Sequence, residues 1–378
     1  MAASSEPWGL YLHVPFCRRK CLHCDFYSVT ALSLIPSYLE AVRREMRLYS
    51  AATGPIDTIY VGGGTPSLLS AGQAQTLLME VHAAFTVSPE AEVTFEVNPE
   101  GLNADYLKEI RSAGVNRLSI GVQSFDEAAL EFLGRGHCAR DGMNALKMAR
   151  EAGFENIGVD LIYGLPYQSM ETWLETLKRV LETAPEHLSL YELTFEPGAP
   201  LGKRLSRGEI RRLDEETQRA FFLETARMAR SAGYSHYEIS NFAREQRFSR
   251  HNSKYWNHAP YLGLGAAAHS FDGDRRWWNH SSARRYISDL ARGLAPVSDS
   301  EQLDLEARML ETLYFGFRTA KGLDLTGFDS RYGHVCASEP YALAASLRDH
   351  GWVTFSEGIM SPTLEGMLRA DSLPLLWT

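Results

Sequence analysis

The stretch Tyr11-Leu12-His13-Val14-Pro15-Phe16-Cys17-Arg18-Arg19-Lys20-Cys21-Leu22-His23-Cys24 decides the fold. It joins a short apolar strand to a C-x3-C-x2-C triplet set among basic residues, and it holds three of the five cysteines in 378 residues. Three thiolates at that spacing suit one iron-sulfur cluster. Four-iron clusters ordinarily take four cysteines, so three leave one iron open to another ligand. Zinc is the rival, because it accepts three or four Cys/His ligands and His23 or His13 would complete such a set. Zinc ribbons prefer paired C-x2-C knuckles, however, and no second pair is present.

Outward from this loop the chain alternates short β-rich runs with helical stretches, the order expected of βα units around a parallel sheet. Strands are predicted at Gly9 to Val14, Thr58 to Gly62, Glu92 to Val97, Arg117 to Val122, Asn156 to Tyr163 and His187 to Thr194. Helices are predicted at Pro36 to Tyr49, Ala71 to Phe85, Ala104 to Ala113 and Met170 to Thr183, with Gly114 and Gly153 where chains leave helices. The reading is an α/β fold: a partial (βα)6 barrel over residues 1–240, then an aromatic and His-rich connecting segment over 241–302, of irregular structure lying against the barrel. Residues 303–378 read as a C-terminal α+β module, helices and a short strand pair resembling a winged helix.

Composition narrows the function. Lys+Arg 38 against Asp+Glu 47 gives a net charge of -9 without a dense basic block, which argues against nucleic acid as a partner. No run of about 18 apolar residues appears, and Met1 to Ser5 lacks a secretory pattern. An odd cysteine number with three clustered speaks against a disulfide scaffold, so a reducing cytosol is expected. Cys138 and Cys336 stand alone and read as small packed side chains.

In barrels of this type chemistry gathers where strands end. Gly62-Gly63-Gly64-Thr65-Pro66 allows close approach of a ligand to the backbone, or is simply a tight turn. Glu96 at a strand end suits two ribose hydroxyls, or is a solvated rim carboxylate. Arg135 matches a ligand carboxylate and Asp160 a hydroxyl or amine, unless each belongs to an internal ion pair. His251-Asn252-Ser253-Lys254-Tyr255-Trp256 and Gly263 to His269 bring imidazoles and aromatic faces that suit an iron macrocycle, against the ordinary alternative of hydrogen-bonded structural histidines.

Together the Tyr11 to Cys24 stretch, the glycine run, Glu96, Val122-Gln123-Ser124-Phe125 and Asp160-Leu161-Ile162-Tyr163-Gly164-Leu165-Pro166 resemble the radical S-adenosylmethionine superfamily, in its coproporphyrinogen dehydrogenase-like branch, over nearly the whole chain. The resemblance implies a 4Fe-4S cluster on Cys17, Cys21 and Cys24, with S-adenosylmethionine chelating the open iron. It further implies that Tyr11 and His13 flank the cluster, His23 lies near adenine, Gly63, Gly64 and Thr65 meet the methionine end, and Glu96 binds ribose. Gln123, Arg135 and Asp160 would line the remaining cofactor space. Two departures separate the chain from true coproporphyrinogen dehydrogenases: Phe26 stands where those enzymes carry a further cysteine, and no long N-terminal arm precedes the Tyr11 strand. Both, with His251-Asn252-x-x-Tyr255-Trp256 and Gly263-x-Gly265-x-x-Ala268-His269, resemble the HemW haem chaperones instead. That resemblance implies haem as ligand, held near His251, Tyr255, Trp256 and His269. It also implies transfer to a haem-accepting respiratory protein, a cytoplasmic location that meets the inner membrane only through that partner, and room for a homodimer. The alternative is oxygen-independent oxidation of coproporphyrinogen III in porphyrin biosynthesis, and whether the chain is an enzyme stays open at this point.

Overall fold

Alternating apolar and polar positions in the first six strands build a parallel sheet with an oily outside and a polar inside. The computed structural model describes residues 6–332 and 340–377, so the first five residues and the isolated Cys336 lie outside the described residues. Strands β1 (Trp8–Val14), β2 (Ile56–Gly63), β3 (Val87–Val97), β4 (Arg117–Gln123), β5 (Ile157–Tyr163) and β6 (His187–Glu192) lie side by side in chain order, each neighbouring pair parallel. Their outward residues, among them Leu12, Val61, Phe95, Ile120, Val159 and Leu190, share one core with the covering helices. Those helices start where the sequence offers caps. Ser70 forms a reciprocal box with Gln73, and the side chains of Asn103, Ser169 and Asp214 each accept a backbone N–H. Gly114 and Gly153 take positive φ values of 106° and 87° just past helix ends.

The segment 241–302 corrects the expectation of irregular structure. After β7 (Ser235–Glu238) and β8 (Asn241–Ala243), a helix at Arg250–Trp256 leads to β9 (Tyr261–Leu264), which pairs parallel with β1. Strands β10 (His269–Phe271), β11 (Arg275–Asn279) and β12 (Val297–Gln302) then continue the sheet antiparallel. The order is β12-β11-β10-β9-β1-β2-β3-β4-β5-β6-β8-β7, an open sheet whose curved parallel part is a partial barrel. These strands of three to six residues are too short, and too rich in Gly, His and Trp, to carry a readable period. The glycine is sterically required, since a Cβ on Gly263 would fall 2.1 Å from the His269 carbonyl oxygen.

The Arg250–Trp256 helix closes the lower end of the barrel. Ser249 caps it, and Glu92 of β3 accepts the backbone N–H of His251 at 3.1 Å. Lys254 pairs with Asp57 at 2.7 Å beside the start of β2.

Beyond residue 303 the helices Leu305–Arg318, Leu325–Tyr332 and Pro340–Asp349 pack with a small sheet ordered β13-β15-β14, formed by β13 (Leu323–Asp324), β14 (Val353–Ser356) and β15 (Ile359–Pro362). This module has its own core around Leu313, Phe317, Phe328 and Met360. Backbone bonds from Ile239 to Arg318 (2.8 Å) and from Ala320 to Tyr237 (3.0 Å) tie it to β7.

Candidate functional site

The cysteine loop leaves β1 and is pinched shut at its base, where Cys17 N–H donates to the Val29 carbonyl (3.0 Å) and Val29 N–H to that of Pro15 (2.7 Å). Its far side is held at Leu22, whose N–H donates to Leu133 (3.1 Å) and whose carbonyl accepts from Leu201 (3.0 Å). The glycine run braces it from beside: Gly64 N–H donates to Val14, Thr65 N–H to Phe16, and the Thr65 hydroxyl lies 3.6 Å from Cys17 Sγ. A Cβ on Gly63, at φ 111°, would meet the His13 ring at 2.5 Å, and one on Gly64 would meet the Phe16 backbone at 2.8 Å. The protein itself therefore fills the space those glycines leave, and their first task is to let two loops touch.

Around the thiols the electrostatics is specific. Arg135 donates from Nη1 to Cys21 Sγ at 3.2 Å and from Nη2 to the Gly121 carbonyl at 3.0 Å, while its buried Nε has no partner. Burial pushes the Cys17 and Cys24 thiols up, and each feels the charge of Cys21, so the three sulfurs are electrostatic neighbours. Among the described residues no three Cys, His, Asp or Glu side chains converge on a single metal ion. His13 also has no nitrogen to give: Nε2 lies 2.9 Å from the Tyr27 carbonyl, which fixes its proton there, and Nδ1 accepts from the Tyr11 hydroxyl at 2.9 Å. Burial, with Arg135 nearby, lowers His23 to about 4, and its Nδ1 is unpartnered. The donor set fits a body larger than one ion: adjacent thiols, a cation at one of them and a hydroxyl at another.

Below the loop, the inner face is polar. Glu96 accepts the Tyr60 hydroxyl (2.9 Å) and the Gly63 N–H (3.0 Å), and burial raises it to about 7 against the pull of those bonds. Asp160 accepts the Ser119 hydroxyl at 3.1 Å and is likewise raised by burial. Among the described residues neither Asp160 nor Arg135 forms an ion pair, the alternative raised for each, since Asp160 bonds hydroxyls and Arg135 bonds Cys21 Sγ and the Gly121 carbonyl. Gln123 ends β4 at φ 67°, a left-handed conformation uncommon for its type, at the barrel mouth. Tyr191 of β6 is 41% exposed. Motif reading missed Tyr60, Ser119 and Ser189, the last on β6 with its side chain also bonded to Asp160. The available signal was polar residues at every second strand position, where a parallel sheet buried on both faces is ordinarily apolar throughout.

The His-rich segment divides. His251 and Tyr255, expected beside a macrocycle, are corrected to the barrel floor. His251 is fully buried, its Nδ1 bonds the Thr58 hydroxyl and its Nε2 the Tyr255 hydroxyl, both at 2.9 Å, and burial lowers it to about 3. Trp256 meets Phe315 of the C-terminal module edge-on at 5.7 Å. His269 is exposed and stacks on Trp278 at 5.6 Å. Register puts this pair on the inner face: Gly263 opposes Tyr11, Phe271 opposes Tyr261, and His269 opposes Trp278.

Fold and cysteine loop define a radical S-adenosylmethionine protein, and the model of the radical SAM superfamily matches residues 11–180 while that of the HemN C-terminal domain matches 303–369. The HemN structure titled coproporphyrinogen III oxidase, from Escherichia coli, superposes with a TM-score of 0.84 at 24% identity over 98% of this chain and 90% of that one, a likeness of fold. Heme chaperone HemW of Bacillus subtilis is 34% identical over 96% of this chain and 97% of its own length, and that of Mycobacterium tuberculosis 35% over 97% and 94%. The chain belongs to the HemW family of radical SAM proteins. Membership implies a 4Fe-4S cluster and S-adenosylmethionine, and among the described residues no helix is long and apolar enough to cross a membrane.

Proposed function

We propose that this protein is a haem chaperone: it binds haem at the mouth of its barrel and passes it to an acceptor protein. The observation that carries the reading is the match along the whole chain, barrel, sheet extension and C-terminal module alike, to relatives named heme chaperone. Cys17, Cys21 and Cys24 hold the cluster, which when bound supplies a one-electron reductant and an iron site for the amine and carboxylate of S-adenosylmethionine. Thr65 and Arg135 direct N–H and O–H groups at the sulfurs, which stabilises the negative charge of thiolates. Glu96 accepts ribose hydroxyls, and Tyr11, His23, Gly63, Gly64, Gln123 and Asp160 surround the nucleoside. His269 with Trp278 offers the macrocycle an exposed imidazole and a flat face, a place that the bonded His251 does not offer.

Delivery to a respiratory protein at the inner membrane, and pairing of two copies, belong to the same proposal. The test is a haem titration of anaerobic, cluster-loaded protein, followed by absorbance and run beside a turnover assay with coproporphyrinogen III. Stoichiometric haem binding, weakened at least tenfold in His269→Ala/Trp278→Ala, supports the reading; conversion of coproporphyrinogen III would replace it with the oxidase.

A further inference from the structure

The barrel floor holds a cation that the site above does not use. Arg117 of β4 points inward one step below Ser119 and is 1% exposed. Its Nη1 donates to the Thr94 hydroxyl at a long 3.4 Å, and its Nε is buried without a partner. A guanidinium does not lose its proton in a protein, so a buried one without an adjacent carboxylate needs compensation at longer range.

The other groups within its field do not neutralise it. Tyr60 of β2, Tyr237 of β7 and His251 of the floor helix are neutral. Tyr237 Oη accepts the Ser249 N–H (3.3 Å) and lies 2.8 Å from His187 Nε2, while His187 Nδ1 is buried without a partner. That Nδ1 and Arg117 Nη2 both face the space where Gly158 lacks a side chain, 3.4 and 3.3 Å from the position of a Cβ. Four buried carboxyls share the interior: Glu92, which accepts the Arg250 and His251 N–H groups of the floor helix, Glu238 beside Tyr237, which burial raises to about 7, and Glu96 and Asp160, whose bonding partners are hydroxyls and one backbone N–H and on which the Arg117 charge acts.

We propose that Arg117 is a positioning residue, supplying from the barrel floor the counter-charge that keeps Glu96 and Asp160 as carboxylates ready to accept the hydroxyls of a ribose-bearing ligand. This rests on the nucleoside-site reading given above. The sign follows from elementary electrostatics: a nearby cation favours the charged form of a carboxyl and burial opposes it. Without Arg117 the two carboxyls keep their protons to higher pH, and a protonated carboxyl has turned one acceptor into a donor.

The experiment is a pH titration of the carboxylic C=O infrared band in cluster-loaded protein, with Glu96→Gln and Asp160→Asn identifying the bands. S-adenosylmethionine affinity is measured on the same samples. In Arg117→Gln the titration midpoint is expected to rise by about one pH unit and the affinity at pH 7 to fall about tenfold, while Arg117→Lys restores both. An unmoved midpoint in folded Arg117→Gln overturns the proposal. Unchanged affinity in Glu96→Gln instead removes the ribose reading and leaves the infrared result to judge Arg117. Should Arg117→Gln not fold, the triple variant Arg117→Gln/Glu96→Gln/Asp160→Asn is expected to fold, because no carboxylate then lacks its counter-charge. Failure of the triple variant to fold counts against the proposal.

Discussion

One methyl group at position 63 would press into the His13 ring at 2.5 Å on a backbone with φ 111°. Gly63→Ala is therefore expected to destabilise the protein by on the order of 1–3 kcal/mol and to spread the two loops that brace the thiols, read as lower iron content after reconstitution. Full iron content at unchanged stability would show that the loops do not depend on this contact. Glu96 makes a second residue-level prediction. With its carboxyl raised to about 7, S-adenosylmethionine affinity should fall as pH drops from 8 to 6, whereas Glu96→Gln should be weak and flat across that range. The cysteines and Glu96 were legible in the sequence from motif spacing and a strand end, and Asp160, inside β5, from the motif that runs from it to Pro166. Tyr60, Ser119 and Ser189 were not, because they sit inside strands and their role comes from register across neighbours, which a single strand does not display.

Among elements, the six parallel strands and their helices were legible from period and caps, while the sheet extension was not, because β9 joins β1 across some 250 residues of intervening chain. The floor helix shows what residue type alone conceals. An imidazole bonded at both nitrogens is a structural part, and His251→Ala should cost about 2–4 kcal/mol in urea unfolding while leaving haem affinity in place. A large loss of haem affinity in the still-folded variant would return His251 to the ligand set. The Ile35–Tyr49 helix carries another buried group: Glu45 accepts the Tyr286 hydroxyl, the Gly265 N–H (2.8 Å) and the Asn279 amide (2.6 Å), joining this helix to the sheet extension. Burial raises its carboxyl to about 7. A folded-state value above the unfolded one means that stability is greatest below the unfolded value and is lost as pH rises through the folded one. Glu45 should thus account for about 3 kcal/mol of lost stability between pH 4.5 and 7, and Glu45→Gln should flatten the slope by one proton. Parallel slopes in the two proteins would mean that Glu45 ionises no less readily folded than unfolded.

At the scale of the molecule, the core around Leu313 and Phe317 is separate from that of the barrel. Leu313→Ala should destabilise by about 2–5 kcal/mol, with faster hydrogen exchange confined to the C-terminal helices and the cluster absorbance unaltered; exchange that also quickens in β1 to β3 would show the cores to unfold as one. The floor helix has a consequence for timing as well. With His251 buried and bonded at the lower end, a ligand coming from below would have to displace the floor helix. On the proposed function both ligands use the mouth above that floor, and a protein pre-filled with haem is expected to take up S-adenosylmethionine no faster than haem leaves it, which stopped-flow absorbance checks.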